Sequence, residues 1–172
     1  MSTQPGVRPD PALGLLSRYD EALPQVYGYL LARCRVAALA EDLTAETFLA
    51  AVAALRKPAA PDLSVAWLIG VARHKLADHW RREERERRGT AALAAEPDPV
   101  DDPWDVHLDT IVAHDVLATL GPHHRAALTL RYLDGLPVPE VADCLGRTVH
   151  ATEALLVRAR SAFRKTYPGK EG

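Results

Sequence analysis

Apolar positions in the first half of the chain recur at spacings of three, four and seven rather than two. Leu13, Leu16, Leu23, Val26, Leu30 and Leu31 follow that rhythm and predict an opening amphipathic helix. A second helix is expected from about Leu39 to Leu55, with Leu43, Thr47, Ala50 or Ala51 and Ala54 on one stripe, stopping before Lys57-Pro58. Ala59 to Asp62 reads as a loop. Ser64 stands where it can cap a third helix that carries Trp67, Leu68, Val71, Lys75 and Leu76 into the run HWRREERERR, with Trp67 read as a core residue. That helix turns from apolar to cationic: Arg73, Lys75, Arg81, Arg82, Arg85, Arg87 and Arg88 face only Asp78, Glu83, Glu84 and Glu86.

The second half keeps the helical rhythm. Ile111, Val112, Val116, Leu117 and Leu120 make a short helix that Gly121-Pro122 ends, His123 to Leu133 forms the next, and Asp134-Gly135 turns the chain. Val138, Val141, Ala142 and Leu145 then fall at i, i+3, i+4 and i+7; Gly146 breaks this helix, and Thr148 can cap another that runs to about Lys165. No alternating strand pattern appears. The expected fold is all-α.

Charge divides the molecule. The formal net charge is −2, yet residues 89–110 hold no Lys or Arg and six acids, Glu96, Asp98, Asp101, Asp102, Asp105 and Asp109. With Pro97, Pro99 and Pro103 this stretch reads as a flexible, semi-extended acidic linker between two small helical domains, residues 13–88 and 111–167. Residues 1–12 are expected to be a disordered N-terminus and 168–172 a C-terminal tail. A chain of 172 residues, 48% apolar and 26% charged, is globular in composition and too short for a barrel of roughly 250 residues. A charge-free apolar run such as Thr47 to Leu55 is far below the roughly 20 residues of a membrane span. MSTQPGVRPD shows no secretory signal, which makes the cytoplasm the expected compartment. Cys34 and Cys144 have neither a zinc nor a redox spacing and are expected to be buried, reduced thiols.

The segment from Val138 onward meets the demands of a helix-turn-helix. Ala142 is small where two helices would cross, Gly146 tolerates positive φ, and Val149, Thr152, Leu156, Ala159 and Phe163 form a stripe to bury. The other face carries His150, Ala151, Glu153 and Ala154 early, then Arg158, Arg160, Arg164 and Lys165. In such a unit the early residues meet base edges in the major groove and flanking cations hold phosphates. Helical hairpins that never touch DNA share this outline, and an Arg-rich last turn also complements a helix dipole.

Together these stretches resemble the sigma-70 family of bacterial transcription initiation factors, in its small extracytoplasmic-function group. AEDLTAETFLAAVAAL (40–55) looks like the family's polymerase-docking helix, AWLIGVARHKLADHWRRE (66–83) like its −10 reading and melting helix, and residues 120–160 like its −35 reading half. The resemblance implies a sigma factor, not an enzyme, with no cofactor and no metal. Its partners would be core RNA polymerase (the largest-subunit coiled coil and the flap), promoter DNA and an anti-sigma factor. It further implies that Asp42, Glu46 and Phe48 dock polymerase, and that Arg73, His74, Lys75, Arg81 and Arg82 meet DNA near −10. Arg147, Thr148, His150, Ala151, Glu153, Ala154, Arg158 and Arg160 would serve −35. The 56–64 loop would sit where the family captures a flipped base. The acidic linker would thread toward the RNA exit path, or simply tether.

Departures bear on this transfer. His74 replaces a common Asn, Thr44 and Ala45 replace an apolar residue and Gln, Pro137 and Pro139 replace a polar cap and an acid, and Glu153 and Leu155 stand where basic residues are common. Losing those bases would remove two phosphate contacts, while Glu153 could accept from a cytosine amino group. Two other classes stand beside this one. A stand-alone helix-turn-helix regulator would bind duplex DNA unaided. An HD-type metal phosphohydrolase would draw on His74, Asp78, His79 and His114-Asp115, which lack that family's ligand order.

Overall fold

The computed structural model describes residues 10–90 and 110–167; the tail and linker expectations fall largely outside them. Helix α1 (Pro11–Cys34) opens on Asp10, whose carboxylate accepts from the Ala12 N–H at 2.9 Å, with Pro11 at a position where no helical donor is needed. Pro11 and Ala12, expected in a disordered tail, are thus the first helical residues. Leu15, Ala22, Val26 and Leu30 are buried, but Leu13 and Leu16 are 64% and 67% exposed, so the expected stripe fails in the first turns. They lie off the line of Leu15 and Ala22, and no described element covers them.

Arg35 ends α1 in the left-handed conformation, and α2 (Ala37–Leu55) packs against it. Helix α2 buries Ala40, Leu43, Thr44, Thr47, Phe48 and Ala51. The Thr44 and Thr47 hydroxyls donate to the carbonyls of Ala40 and Leu43 at 2.6 and 2.7 Å. Each buried hydroxyl is thereby satisfied, which is how Thr44 and Thr47 occupy buried positions. In the loop that follows, Leu63 is buried, and Arg18 of α1 donates to its carbonyl at 3.3 Å.

Ser64 caps α3 (Val65–Thr90), accepting from the Trp67 N–H at 3.1 Å. Trp67 itself is only half-buried, contrary to its reading as core; the core tryptophan is Trp80, 1% exposed. The buried line of α3 runs Leu68, Ala72, Leu76, Trp80 in steps of four, and Trp67 lies one residue, about 100°, off it.

The chain divides into two compact units within α3, one ending at Lys75 and the other starting at Leu76. The second holds the later turns of α3, then α4 (Thr110–Thr119) and α5 (Pro122–Leu128), which runs on as a π-helical turn, Thr129–Leu133. Arg125 ties α4 to α5 by donating to the carbonyls of Leu117, at 3.0 Å, and Ala118. Gly135, at φ 68°, turns the chain. Next come α6 (Val138–Leu145), Gly146 at φ 61°, and α7 (Val149–Thr166).

Thr148 caps α7 as expected, accepting from the Ala151 N–H at 3.2 Å. The buried stripe differs from expectation in two places: it is Thr152, Leu155, Leu156, Ala159 and Phe163, while Val149 is 43% exposed. Val149 begins the helix, in a turn that little covers. Leu155 sits three residues after Thr152 and four before Ala159, on the covered face, and so could never have offered a phosphate contact.

Candidate nucleic-acid and partner interfaces

In the first unit, Asp42 is exposed and Glu46 half-buried, one turn apart on the same side of α2. Leu49, 69% exposed, continues that side, and Val52, 40% exposed, borders it. Sequence reasoning missed these two, although both lie off the buried stripe and so signal an apolar surface. Phe48 was expected to face a partner. It is instead 9% exposed, its ring packed edge-on against Tyr19 at 4.9 Å. Four residues after Thr44 and five after Leu43, it falls on the covered face of α2, where with Tyr19, Leu23, Pro24 and Tyr27 it lines a hollow of about 470 Å³.

Lys75 Nζ lies 3.8 Å from Glu46 Oε2, so the structure joins a residue expected to meet DNA with one expected to meet polymerase. At this exposure such a pair contributes little stability, and either partner can be recruited elsewhere. Arg73 is half-buried and His74 exposed. Farther along α3, Arg82 is exposed, and Arg81 pairs with Asp78 at 3.1 Å.

The helix-turn-helix places Thr148, His150 and Glu153 on the exposed start of α7, with Arg147, Ala151 and Ala154 half-exposed beside them. The Arg147 N–H donates back to the Ala142 carbonyl at 3.0 Å, closing the turn. Farther along α7 Arg158 and Arg160 are half-buried on different sides of the helix, and Arg160 donates to the Tyr132 hydroxyl at 3.3 Å. The π-helical turn supplies that tyrosine.

One cluster escaped the sequence reading. Glu84, counted there only as one acid among cations, is buried, and its Oε2 lies 2.9 Å from Nδ1 of buried His123. Arg88 donates to Oε1 at 2.8 Å, and Arg87 lies 4.0 Å from Oε2. Burial by itself would raise the Glu84 pKa; the Arg88 hydrogen bond and the neighbouring His123 and Arg87 outweigh it and hold the carboxyl below its usual range.

Among the described residues no helix is long and apolar enough to cross a membrane. Nor, among the described residues, do three His, Cys, Asp or Glu side chains converge as a metal site would require. Cys34 and Cys144 are buried, and neither forms a disulfide.

The family profile described as Sigma-70 region 2 matches residues 18–86, and that described as Sigma-70, region 4 matches residues 112–163. The chain is similar to the ECF RNA polymerase sigma factor BldN of Streptomyces coelicolor, 31% identical over 155 residues, covering 87% of this chain and 59% of BldN. It is 35% identical over 128 residues to the ECF RNA polymerase sigma factor SigC of Mycobacterium tuberculosis, covering 72% of this chain and 68% of SigC. In fold it is similar to the sigma factor RpoE solved with the anti-sigma factor NepR from Bartonella quintana, at TM-score 0.54 and 20% identity over 94% of this chain and 99% of that one.

Proposed function

Because the chain belongs to the sigma-70 family of RNA polymerase sigma factors, in its extracytoplasmic-function group, we propose that it carries core polymerase to promoters bearing paired −35 and −10 elements. It is an initiation factor and not an enzyme; bond-making belongs to the polymerase. Residues 13–88 act as region 2 and 111–167 as region 4, with 89–110 tethering them.

The observation that carries the reading is an uncovered face of α2 on which Asp42, Glu46 and Leu49 stand together. Two carboxylates one turn apart receive Arg or Lys side chains of a partner, and an exposed leucine beside them supplies apolar area that water disfavours. Phe48 supports this face from beneath. Arg73, His74, Lys75, Arg81 and Arg82 meet the −10 segment. Thr148, His150, Ala151, Glu153 and Ala154 lie at the start of α7 toward −35 base edges, with Arg147, Arg158 and Arg160 on phosphates. The solved relative was captured with an anti-sigma factor, and a protein of that kind is the third partner proposed here. All of this takes place in the cytoplasm, where core polymerase is.

The test is a charge reversal. Asp42→Arg with Glu46→Arg abolishes co-purification with core polymerase and transcription from a genomic fragment library, while the circular dichroism spectrum stays helical. Undiminished co-purification refutes the docking assignment.

A further inference from the structure

The start of α7 is pinned at several points. The Thr148 side chain accepts from the Ala151 N–H at 3.2 Å, the Thr152 hydroxyl donates back to the Thr148 carbonyl at 2.9 Å, and the Arg147 N–H donates to the Ala142 carbonyl at 3.0 Å. Thr152 is fully buried, so the next residue, Glu153, is turned outward and held there by a rigid first turn. Among the described residues Glu153 makes no hydrogen bond or ion pair. One turn to either side of it stand Val149 and Val157, which offer a carboxylate nothing. The nearest α7 cation on that side, Arg160, is two turns on, about 10 Å along the axis, and donates to the Tyr132 hydroxyl.

No role at the helix end accounts for this carboxylate. Thr148 is the cap, and the position where a capping-box acid would reach back is Ala151. Glu153 lies beyond the first turn, where the pull of the helix dipole has faded. A lone carboxylate on a face that enters a DNA groove is repelled by the phosphates and gains only where it meets a donor. The major-groove edges differ in what they offer. Guanine shows two acceptors, thymine an acceptor and a methyl, adenine a donor beside an acceptor, and cytosine its amino donor alone.

We propose that Glu153 is a specificity-determining residue that selects cytosine and excludes guanine at one position of the −35 element. The inference rests on the placement of α7 against −35 DNA and adds the base which that face demands. Half of the selection is repulsive: against guanine the carboxylate faces two acceptors, and loses its hydration without gaining a hydrogen bond. Glu153 therefore lowers affinity for most sequences while sharpening the choice among them, the reverse of an arginine on a phosphate.

The experiment uses the full chain with core polymerase. A promoter recovered from a genomic fragment library is rebuilt with each −35 position in all four bases, and transcript yield is measured at limiting holoenzyme. The unaltered chain prefers cytosine to guanine at one position by about tenfold, the scale of one specific base contact. Glu153→Ala brings the two within about twofold there, chiefly by raising the guanine template, and leaves the other positions as they were. Glu153→Gln moves the preference at that position to adenine, whose N6 and N7 a glutamine amide engages together. Glu140→Gln, the same loss of charge at an exposed acid of α6, changes no base preference. If Glu153→Ala keeps every preference of the unaltered chain, or raises all templates alike, the carboxylate is a solvated surface charge and the inference is overturned. A holoenzyme with the unaltered chain that makes no transcript from any fragment overturns the initiation reading itself, and this inference with it.

Discussion

Gly146 shows how much one residue can be asked to do. At φ 61° it occupies backbone space that costs an L-residue about 1–2 kcal/mol, and it leaves room for Arg81. Gly146→Ala is expected to destabilise the second unit by about that amount, with Gly146→Asn milder because Asn tolerates this conformation. Urea unfolding followed by circular dichroism measures both, and equal stability of all three proteins would contradict the account. Single residues of this sort were legible: Ser64 and Thr148 cap the helices they were expected to cap. Glu84 was not. It stands four residues beyond Trp80, on the line of Leu76 and Trp80, where an acid in a cationic run looks like one more wet charge. Only a partner from another helix makes it a buried one.

Helices α6 and α7 were read correctly as elements, yet the buried side of α7 was read wrongly at its first residue and at Leu155. Spacing offers several overlapping stripes in an Ala- and Leu-rich helix, and the neighbour that covers it selects one. Leu155, fully buried, should cost about 2–5 kcal/mol when cut to alanine, whereas Val149→Ala, at 43% exposure, should stay within about 0.5 kcal/mol. Denaturant midpoints of the two variants test the corrected stripe; a larger loss at Val149 would restore the original one. On α2 the same logic explains Phe48. Its neighbours Asp42, Glu46 and Leu49 face outward, so the proposed docking face is acidic and aliphatic, with the aromatic ring beneath.

At the scale of the whole molecule, the proposed promoter contacts are cations on phosphates, so holoenzyme binding should weaken steeply with salt. The logarithmic slope is about one per phosphate contact. Arg158→Ala with Arg160→Ala should lower that slope by up to about two and weaken all −35 sequences alike. Filter binding across a salt series checks this; a loss confined to one base position would mean that these arginines read sequence. The amino-acid order by itself determined the all-helical class, the helix ends and the candidate helix-turn-helix, because periodicity, caps and glycine turns act within a few residues of one another. Burial of Phe48, exposure of Leu49 and Val149, and the meeting of Glu84 with His123 were decided only by tertiary structure. Each depends on which distant surface a helix side meets, and local spacing carries no information about that neighbour.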